Sequence, residues 1–174
     1  GMIARLAPYW LEEPLDGEAM NALAAVSRAT PLRGVTGGRQ FSLPHFEGVL
    51  RARAAQILNP DIAGLGGILD MLDLAHMADA QGVAVSPHCW NFMTVAASAM
   101  MHVCAAIPNA EMAEIYPEYL AHGARFASVS FRLNGANATV SCAPGLGVDV
   151  DVPALQACTA VFKQSDLERT GVRV

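Results

Sequence analysis

The sequence predicts an α/β fold built on a parallel sheet. Short apolar runs alternate with longer segments at helical spacing between residues 8 and 115. The connections between these runs and the helical segments are short. Since parallel neighbouring strands need a crossover helix, the alternation favours a parallel sheet. The right-handed crossover rule then leaves two architectures, a doubly wound sheet or a barrel. No GxGxxG motif follows the first predicted strand, so the dinucleotide-binding form of the doubly wound fold lacks support.

The predicted elements follow from apolar spacing and from Gly and Pro at their ends. The strands are predicted at 8–12, 32–36, 57–59, 83–85 and 112–115. The helices are predicted at 17–28, 46–56, 68–81 and 92–106. Gly82 directly follows the third helix, as expected of a C-terminal capping glycine. The fourth helix is almost wholly apolar, so we expect it to be buried on several sides.

The pattern changes after residue 116. Residues 128–140 alternate around Asn134-Gly135, which is typical of a β-hairpin. A Pro-Gly turn at 144–147 precedes an extended segment at 148–152, and a final helix is predicted at 154–163. We therefore divide the chain into a β/α part, 1–116, and an antiparallel and helical tail, 117–174.

Composition excludes several classes of protein. The 174 residues are 53% hydrophobic, which is too apolar for a disordered chain. Sixteen acidic residues against 11 Lys and Arg give a net charge of −5, so we expect no nucleic-acid partner. The uncharged stretch 89–109 contains His and Pro and is predicted to be a buried helix, not a membrane span. No signal peptide is recognised and the four cysteines show no metal-site spacing, so we expect reduced thiols and a cytoplasmic location.

Residues with chemical potential follow the predicted strands at a nearly constant interval. Glu12, Gly38, Asp61, His88 and Glu114 are separated by 26, 23, 27 and 26 residues. Matching strand ends one β/α unit apart lie side by side at the carboxyl edge, where barrel enzymes place their catalytic groups. Taken singly, Glu12 and Glu114 are also explained as solvated acids, Asp61 as a loop cap and His88 as a core histidine. The shared interval favours one site.

At this point the sequence resembles a known family, the enolase superfamily, and within it the mandelate racemase/muconate lactonizing enzyme branch with its acid-sugar dehydratases. The resemblance covers about residues 9–152. It is carried by an ordered set of motifs: Trp10-Leu11-Glu12-Glu13-Pro14, Asn59-Pro60-Asp61, Gly66-Gly67-Ile68, Val85-Ser86-Pro87-His88 and Pro144-Gly145-Leu146-Gly147-Val148. The resemblance implies a partial (β/α) TIM-type barrel, strands four to eight, with a tail that contributes to the capping region.

The resemblance also implies roles for the rim residues. Glu12 corresponds to a magnesium-binding carboxylate, and Asp61 with His88 to the acid–base dyad of the racemase branch. Glu114 corresponds to an acid that hydrogen-bonds the substrate carboxylate. Such chemistry needs a cation to stabilise the enediolate, a neutral imidazole to take the proton, and a carboxylate to orient that imidazole.

This sequence departs from the family pattern at the metal site. Gly38 occupies the position of a lost carboxylate ligand, and Arg39 adds a cation beside it. The second-strand lysine base and third-strand aspartate ligand have no counterpart in these residues. Of the three expected metal carboxylates, only Glu12 remains. Glu13 could help, but adjacent residues on a strand point to opposite faces. A single carboxylate should hold Mg²⁺ weakly.

Three interpretations of function follow. In the first, this chain supplies part of a racemase or dehydratase that acts on a small carboxylate or sugar acid. It becomes competent when paired with an N-terminal half or another copy. In the second, it is a truncated, inactive or weakly active protein that survives as an oligomer covering its open half-barrel; we favour this for the chain alone. The third, a flavodoxin-like module, needs a phosphate-binding loop, but Glu13 and Asp16 make the first loop acidic.

Overall fold

The computed structural model describes residues 2–89 and 94–157. Its main sheet has four parallel strands, adjacent in chain order: β1 (Trp10–Glu12), β2 (Arg33–Thr36), β3 (Ile57–Leu58) and β4 (Ala84–Val85). A fifth stretch joins β4 through a single parallel bridge between Val85 and Ala110. This order is that of one arc of a (β/α) barrel, whereas a doubly wound sheet reverses its strand order. The prediction of a partial barrel is confirmed.

Helices connect the strands. A 3₁₀ helix, Ile3–Leu6, precedes β1. The α-helices are α1 (Met20–Ala29), α2 (Leu43–Ala52), α3 (Ile62–Leu65), α4 (Ile68–Asp79), α5 (Thr94–Ala106), α6 (Pro117–Gly123) and α7 (Val152–Ala157). Gly82 has φ +68° just after α4, a conformation that costs glycine little, which agrees with its predicted capping position.

The two faces of the sheet differ in what covers them. Leu58 and Val85 belong to one cluster with residues of α2, α4 and α5, including Phe46, Leu74 and Met100. The opposite, inner face is defined by register, which places Glu12, Val35 and Ile57 in one layer across three strands. Val35 and Ile57 are also buried, although they lie outside the helix-facing cluster. Glu12, at the end of β1, therefore points to the inside of the arc.

The tail forms the predicted hairpin. Strands β5 (Phe131–Asn134) and β6 (Asn137–Val140) pair antiparallel, with Asn134 opposite Asn137. Gly135 adopts φ +61° in the turn, where a side chain would be strained. The hairpin contacts α5 through β6. The extended segment predicted at 148–152 is reduced to one antiparallel bridge between Ala127 and Val150. The division of the chain at 116/117 stays a prediction.

The strand predicted at 112–115 is wrong, and proline explains why. Val85 donates its N–H to Asn109 and accepts one from Glu111, so pairing with β4 begins before residue 112. Pro87 has no N–H to donate, so the next ladder bond cannot form. Residues 112–115 are therefore irregular, and Glu114 N–H instead donates to the Pro87 carbonyl.

The helix predictions also need correction. Helix α6 was not predicted, although Pro117 at its start is a usual N-terminal signal. Helix α7 begins at Val152, two residues before the predicted start, and the predicted residues 158–163 lie outside the described residues. The same holds for 92–93 at the start of the predicted fourth helix. In the part of the chain that the structure describes, no helix is both long and apolar enough to span a membrane.

Candidate functional site

The residues singled out by their spacing lie at the carboxyl end of the sheet. Glu12 ends β1, and Gly38 follows β2 by two residues. Asp61 and His88 each lie three residues beyond β3 and β4 and form a parallel bridge with one another. Glu114 follows the Ala110 bridge by four residues. We call this set, Glu12, Gly38, Asp61, His88 and Glu114, the rim.

Asp61 and His88 face each other and form an ion pair when the imidazole is protonated. His88 Nδ1 lies 3.6 Å from Asp61 Oδ2, and the His88 N–H donates to the Pro60 carbonyl at 3.1 Å. The other Asp61 oxygen, Oδ1, caps α3 by accepting from Ala63 and Gly64 at 2.9 Å each. The Asp61 carboxylate is therefore fixed by backbone donors, and it presents its second oxygen to the imidazole. Asp61 is buried, whereas the His88 side chain is 23% exposed.

The electrostatic surroundings of His88 favour its charged form. The side-chain interaction with Asp61 raises the pKa of His88, burial opposes this, and the charges of Glu114 and Glu12 add to the increase. Since three carboxylates surround it, the ring gains a proton more readily than a histidine in water. A group that accepts and returns protons needs this kind of tuning.

Glu12 is supported by a residue whose role the sequence did not indicate. Asn59 Nδ2 donates to Glu12 Oε1 at 3.2 Å. Burial raises the pKa of Glu12, and the charge of Glu114 adds to the increase. Asn59 lies two residues before Asp61, so strand alternation puts both side chains on the inner face. That spacing is the signal that identifies Asn59.

Glu114 lies next to His88 through the backbone. Its Oε2 accepts from the Cys89 N–H at 3.0 Å, and its own N–H donates to Pro87. These two bonds tie the irregular segment after Ala110 to the end of β4. Glu114 is thereby placed where its charge acts on both His88 and Glu12.

Gly38 lies directly against the His88 ring. A Cβ at residue 38 would be 2.9 Å from His88 Cδ2 and 3.2 Å from Nε2, closer than side chains tolerate. Arg39 continues from Gly38 and pairs with Glu13, its Nε lying 3.1 Å from Glu13 Oε2. The other Glu13 oxygen accepts from the Gly37 N–H at 3.4 Å. Both oxygens of Glu13 are thus engaged.

An open cleft of about 620 Å³ lies at this edge of the sheet. It is lined by Glu12, Glu13, Gly38, Arg39, His88, Cys89 and Tyr116. The structure therefore brings Glu12, Gly38 and His88 to the cleft wall, with Asp61 behind His88 and Glu114 bonded beside Cys89. Arg39 and Tyr116 are lining residues that the interval between strands did not identify.

The donor set does not fit a divalent cation. Mg²⁺ prefers several oxygen ligands, usually including one or two carboxylates. At the rim, Glu13 is bound to Arg39, residue 38 has no side chain, Glu12 accepts from Asn59, and Glu114 accepts from the Cys89 N–H. Among residues 2–89 and 94–157, no group of three or more His, Cys, Asp or Glu is arranged to hold a metal ion.

Comparisons with known proteins found sequence relatives of this chain. The chain is 34% identical over 159 residues to D-galactonate dehydratase of Ralstonia nicotianae, and 32% identical over 152 residues to that of Verminephrobacter eiseniae. The matches cover 86% and 84% of this chain but 41% and 40% of those proteins. The chain thus spans about two fifths of the length of these relatives.

Solved structures agree with the sequence relatives. A crystal structure of an enolase from Sargasso Sea environmental sequencing matches with a TM-score of 0.87 and 39% identity, covering 91% of this chain and 42% of that one. L-talarate dehydratase from Polaromonas sp., complexed with Mg and L-glucarate, matches with a TM-score of 0.77 and 26% identity, covering 90% and 40%. The family model described as enolase C-terminal domain-like matches residues 1–155. A match over most of the chain, on an arc of parallel strands with an Asp–His pair at its rim, means that this chain belongs to the enolase C-terminal domain-like family.

Proposed function

We propose that the rim supplies the acid–base part of a reaction in which a proton α to a carboxylate is removed, as in sugar-acid dehydration or racemisation. The single observation that carries the proposal is the Asp61–His88 pair at the carboxyl edge, with the ring of His88 on the wall of an open cleft. D-galactonate dehydratases are among the relatives, which makes a sugar acid the substrate class to test.

In this proposal His88 is the base. Asp61 faces Nδ1, which leaves Nε2 on the side of Gly38 and the cleft. Asp61 fixes the tautomer and stabilises the imidazolium once the proton has been taken. Glu114 is the electrophilic group, because the carboxyl oxygen that does not accept from Cys89 is left for a ligand oxygen. Glu12 is the family's metal-ligand position.

Under this proposal, the chain alone has little or no activity. Of the carboxylates that would hold Mg²⁺ in the family, the rim retains Glu12, and an enediolate without such a cation is poorly stabilised. The structure of L-talarate dehydratase contains Mg and L-glucarate, whereas the donor set here does not fit that ion.

Pairing is the alternative that would make the site competent. Among the described residues, strand β1 is an edge of the main sheet. Ile3, Leu6 and Tyr9 lie just before this edge and are 55%, 81% and 62% exposed. Because edge strands and exposed apolar side chains favour association, we propose that a second copy or an N-terminal half of the barrel covers this side. Sedimentation equilibrium tests the pairing: a strictly monomeric species that unfolds cooperatively contradicts it.

The remaining parts of the proposal concern location and partners. We propose a cytoplasmic location, because the cysteines of the sequence show no spacing typical of a disulfide framework. The net charge of −5 opposes binding to nucleic acid, so the expected partner is a small carboxylate.

Exchange of the substrate α-hydrogen with deuterated solvent tests the base. With D-galactonate as probe, His88→Asn should abolish any exchange that the full chain catalyses, because amide nitrogen cannot accept the proton. His76→Asn is the matched control, since His76 is exposed on α4 and does not line the cleft. Exchange that continues unchanged in His88→Asn refutes the assignment.

A further inference from the structure

The cleft wall has a feature that the proposed reaction does not explain. The His88 ring packs on the Cα of Gly38, so the space above residue 38 is filled by imidazole. A carboxylate side chain at residue 38 would collide with the ring at its first carbon. The His88 ring in this position therefore excludes a metal-binding side chain at residue 38.

The cation next to that space is a side chain. Arg39 Nε is 3.1 Å from Glu13 Oε2, and the Arg39 side chain is 74% exposed while that of Glu13 is 12% exposed. Glu13 thus binds Nε of the guanidinium, and the exposed Arg39 side chain lines the cleft. Because Arg39 lines the cleft, its positive charge opposes the approach of a divalent cation to the same wall.

The third contribution comes from Glu12. Its carboxylate accepts from Asn59, so one of its two oxygens is already engaged. Removing the remaining Mg²⁺ hydration for one such ligand is unfavourable, since the ion dehydrates reluctantly.

We propose that the rim of this chain does not hold a divalent cation, because the His88 ring fills the ligand position at Gly38 and the Arg39 guanidinium brings a positive charge to the same cleft wall. This inference rests on the proposed function for its meaning, since the related L-talarate dehydratase is complexed with Mg. It separates the present chain from metal-bearing members of its own family.

Binding of Mn²⁺, followed by loss of the free-ion EPR signal on titration of the full chain, tests the inference. The unaltered chain should show no saturable binding up to about 5 mM metal. Arg39→Gln should behave in the same way, because it removes a charge but adds no ligand. Arg51→Gln is the matched control, since Arg51 is likewise exposed, at 82%, and paired with a glutamate, Glu47. One-per-chain binding with a dissociation constant below about 1 mM in the unaltered chain overturns the inference.

A gain-of-binding variant tests the physical cause. Gly38→Glu combined with Arg39→Gln adds a carboxylate and removes the competing charge, so its dissociation constant for Mn²⁺ should fall at least tenfold below the limit set by the unaltered chain. Circular dichroism confirms that the variant is folded. A folded variant that binds no better shows that these two residues are not the reason, and the inference fails.

The inference and the proposed function fail separately. Deuterium exchange that depends on His88 and is unaffected by EDTA supports both. Exchange that EDTA abolishes leaves the function standing and overturns the metal-free rim. Absence of exchange together with absence of Mn²⁺ binding removes the function and leaves the metal-free rim standing.

Discussion

Arg33 and Glu111 form a two-pronged ion pair across the inner face of the sheet, although β3 and β4 lie between them. Arg33 Nη2 is 2.6 Å from Glu111 Oε2, and Nη1 bonds the other carboxylate oxygen. Tyr9 also donates to Glu111. Because Arg33 is on β2 and Glu111 follows the bridge to β4, the pair can form only when the sheet is curved. The pair therefore ties the start of β2 to the segment that follows the bridge to β4.

The first prediction concerns the stability of this pair. Arg33→Met should lower the free energy of unfolding by about 1 to 2 kcal/mol, because the half-buried Glu111 carboxylate loses a two-pronged charged partner. Urea denaturation monitored by circular dichroism measures it. Arg51→Met removes an exposed pair within α2 and should cost less than about 0.5 kcal/mol. Equal losses in the two variants would contradict the assignment.

The pH dependence of the same pair has a definite sign. Arg33 lowers the pKa of Glu111 below its usual value, and the hydrogen bond from Tyr9 acts in the same direction against burial. A group whose folded-state pKa is lowered contributes stability above its unfolded pKa, and that contribution is lost as pH falls through the folded pKa. Arg33→Met should therefore flatten the decline in stability below about pH 4.5. A decline as steep as that of the unaltered chain would show that Glu111 does not cause it.

His88 gives the opposite sign. Its pKa is raised above 6.5, chiefly by Asp61, so its stabilisation is fully present below pH 6.5 and is lost as pH rises through the folded pKa. Asp61→Asn keeps the cap of α3, because asparagine is an equally good N-cap, but it removes the charge. An NMR titration of the imidazole should show a lower pKa in Asp61→Asn. Asp73→Asn, a change on exposed α4 surface, should leave the titration in place. No shift in Asp61→Asn would refute the pairing.

Asn59 should be sensitive to charge. Asn59→Asp replaces the donor to Glu12 with a second carboxylate in a site that is 2% exposed. At pH 7 the variant should be less stable by about 2 to 3 kcal/mol, because a buried carboxylate at residue 59 would face the like charge of Glu12. The loss should shrink as pH falls and the carboxylates take up protons. Asn21→Asp, on the exposed first turn of α1, should cost nothing measurable. A loss in Asn59→Asp that does not depend on pH would contradict the contact.

Gly38 should tolerate no side chain while His88 stays in place. Gly38→Ala puts a methyl group 2.9 Å from the ring, so we expect a displaced imidazole and a loss of about 1 to 2 kcal/mol. The chemical shifts of His88 measure the displacement. Gly34→Ala is the control, because its new Cβ meets nothing nearer than 3.4 Å. Unmoved His88 signals in Gly38→Ala would show that the contact is absent in solution.

Periodicity determined most of the strands and helices and the edge of the sheet at which the rim residues lie. The alternation of short apolar runs with helical segments predicted β1 to β4 and the hairpin around Gly135, since each pattern is local. The constant interval between Glu12, Asp61 and His88 placed them on one edge, because every β/α unit advances the chain by one strand. Two prolines are local signals as well: Pro117 marks the start of α6, and Pro87 ends the hydrogen bonding along β4.

Side-chain partners across the sheet depended on register and curvature, which no local pattern contains. Asn59 meets Glu12 from 47 residues away, and Arg33 meets Glu111 from 78 residues away. The contact between the Gly38 Cα and the His88 ring likewise arises only when β2, β3 and β4 are in register. Short-range spacing therefore decided the order of the strands and the location of the rim, and the curved sheet alone decided which atoms within the rim touch.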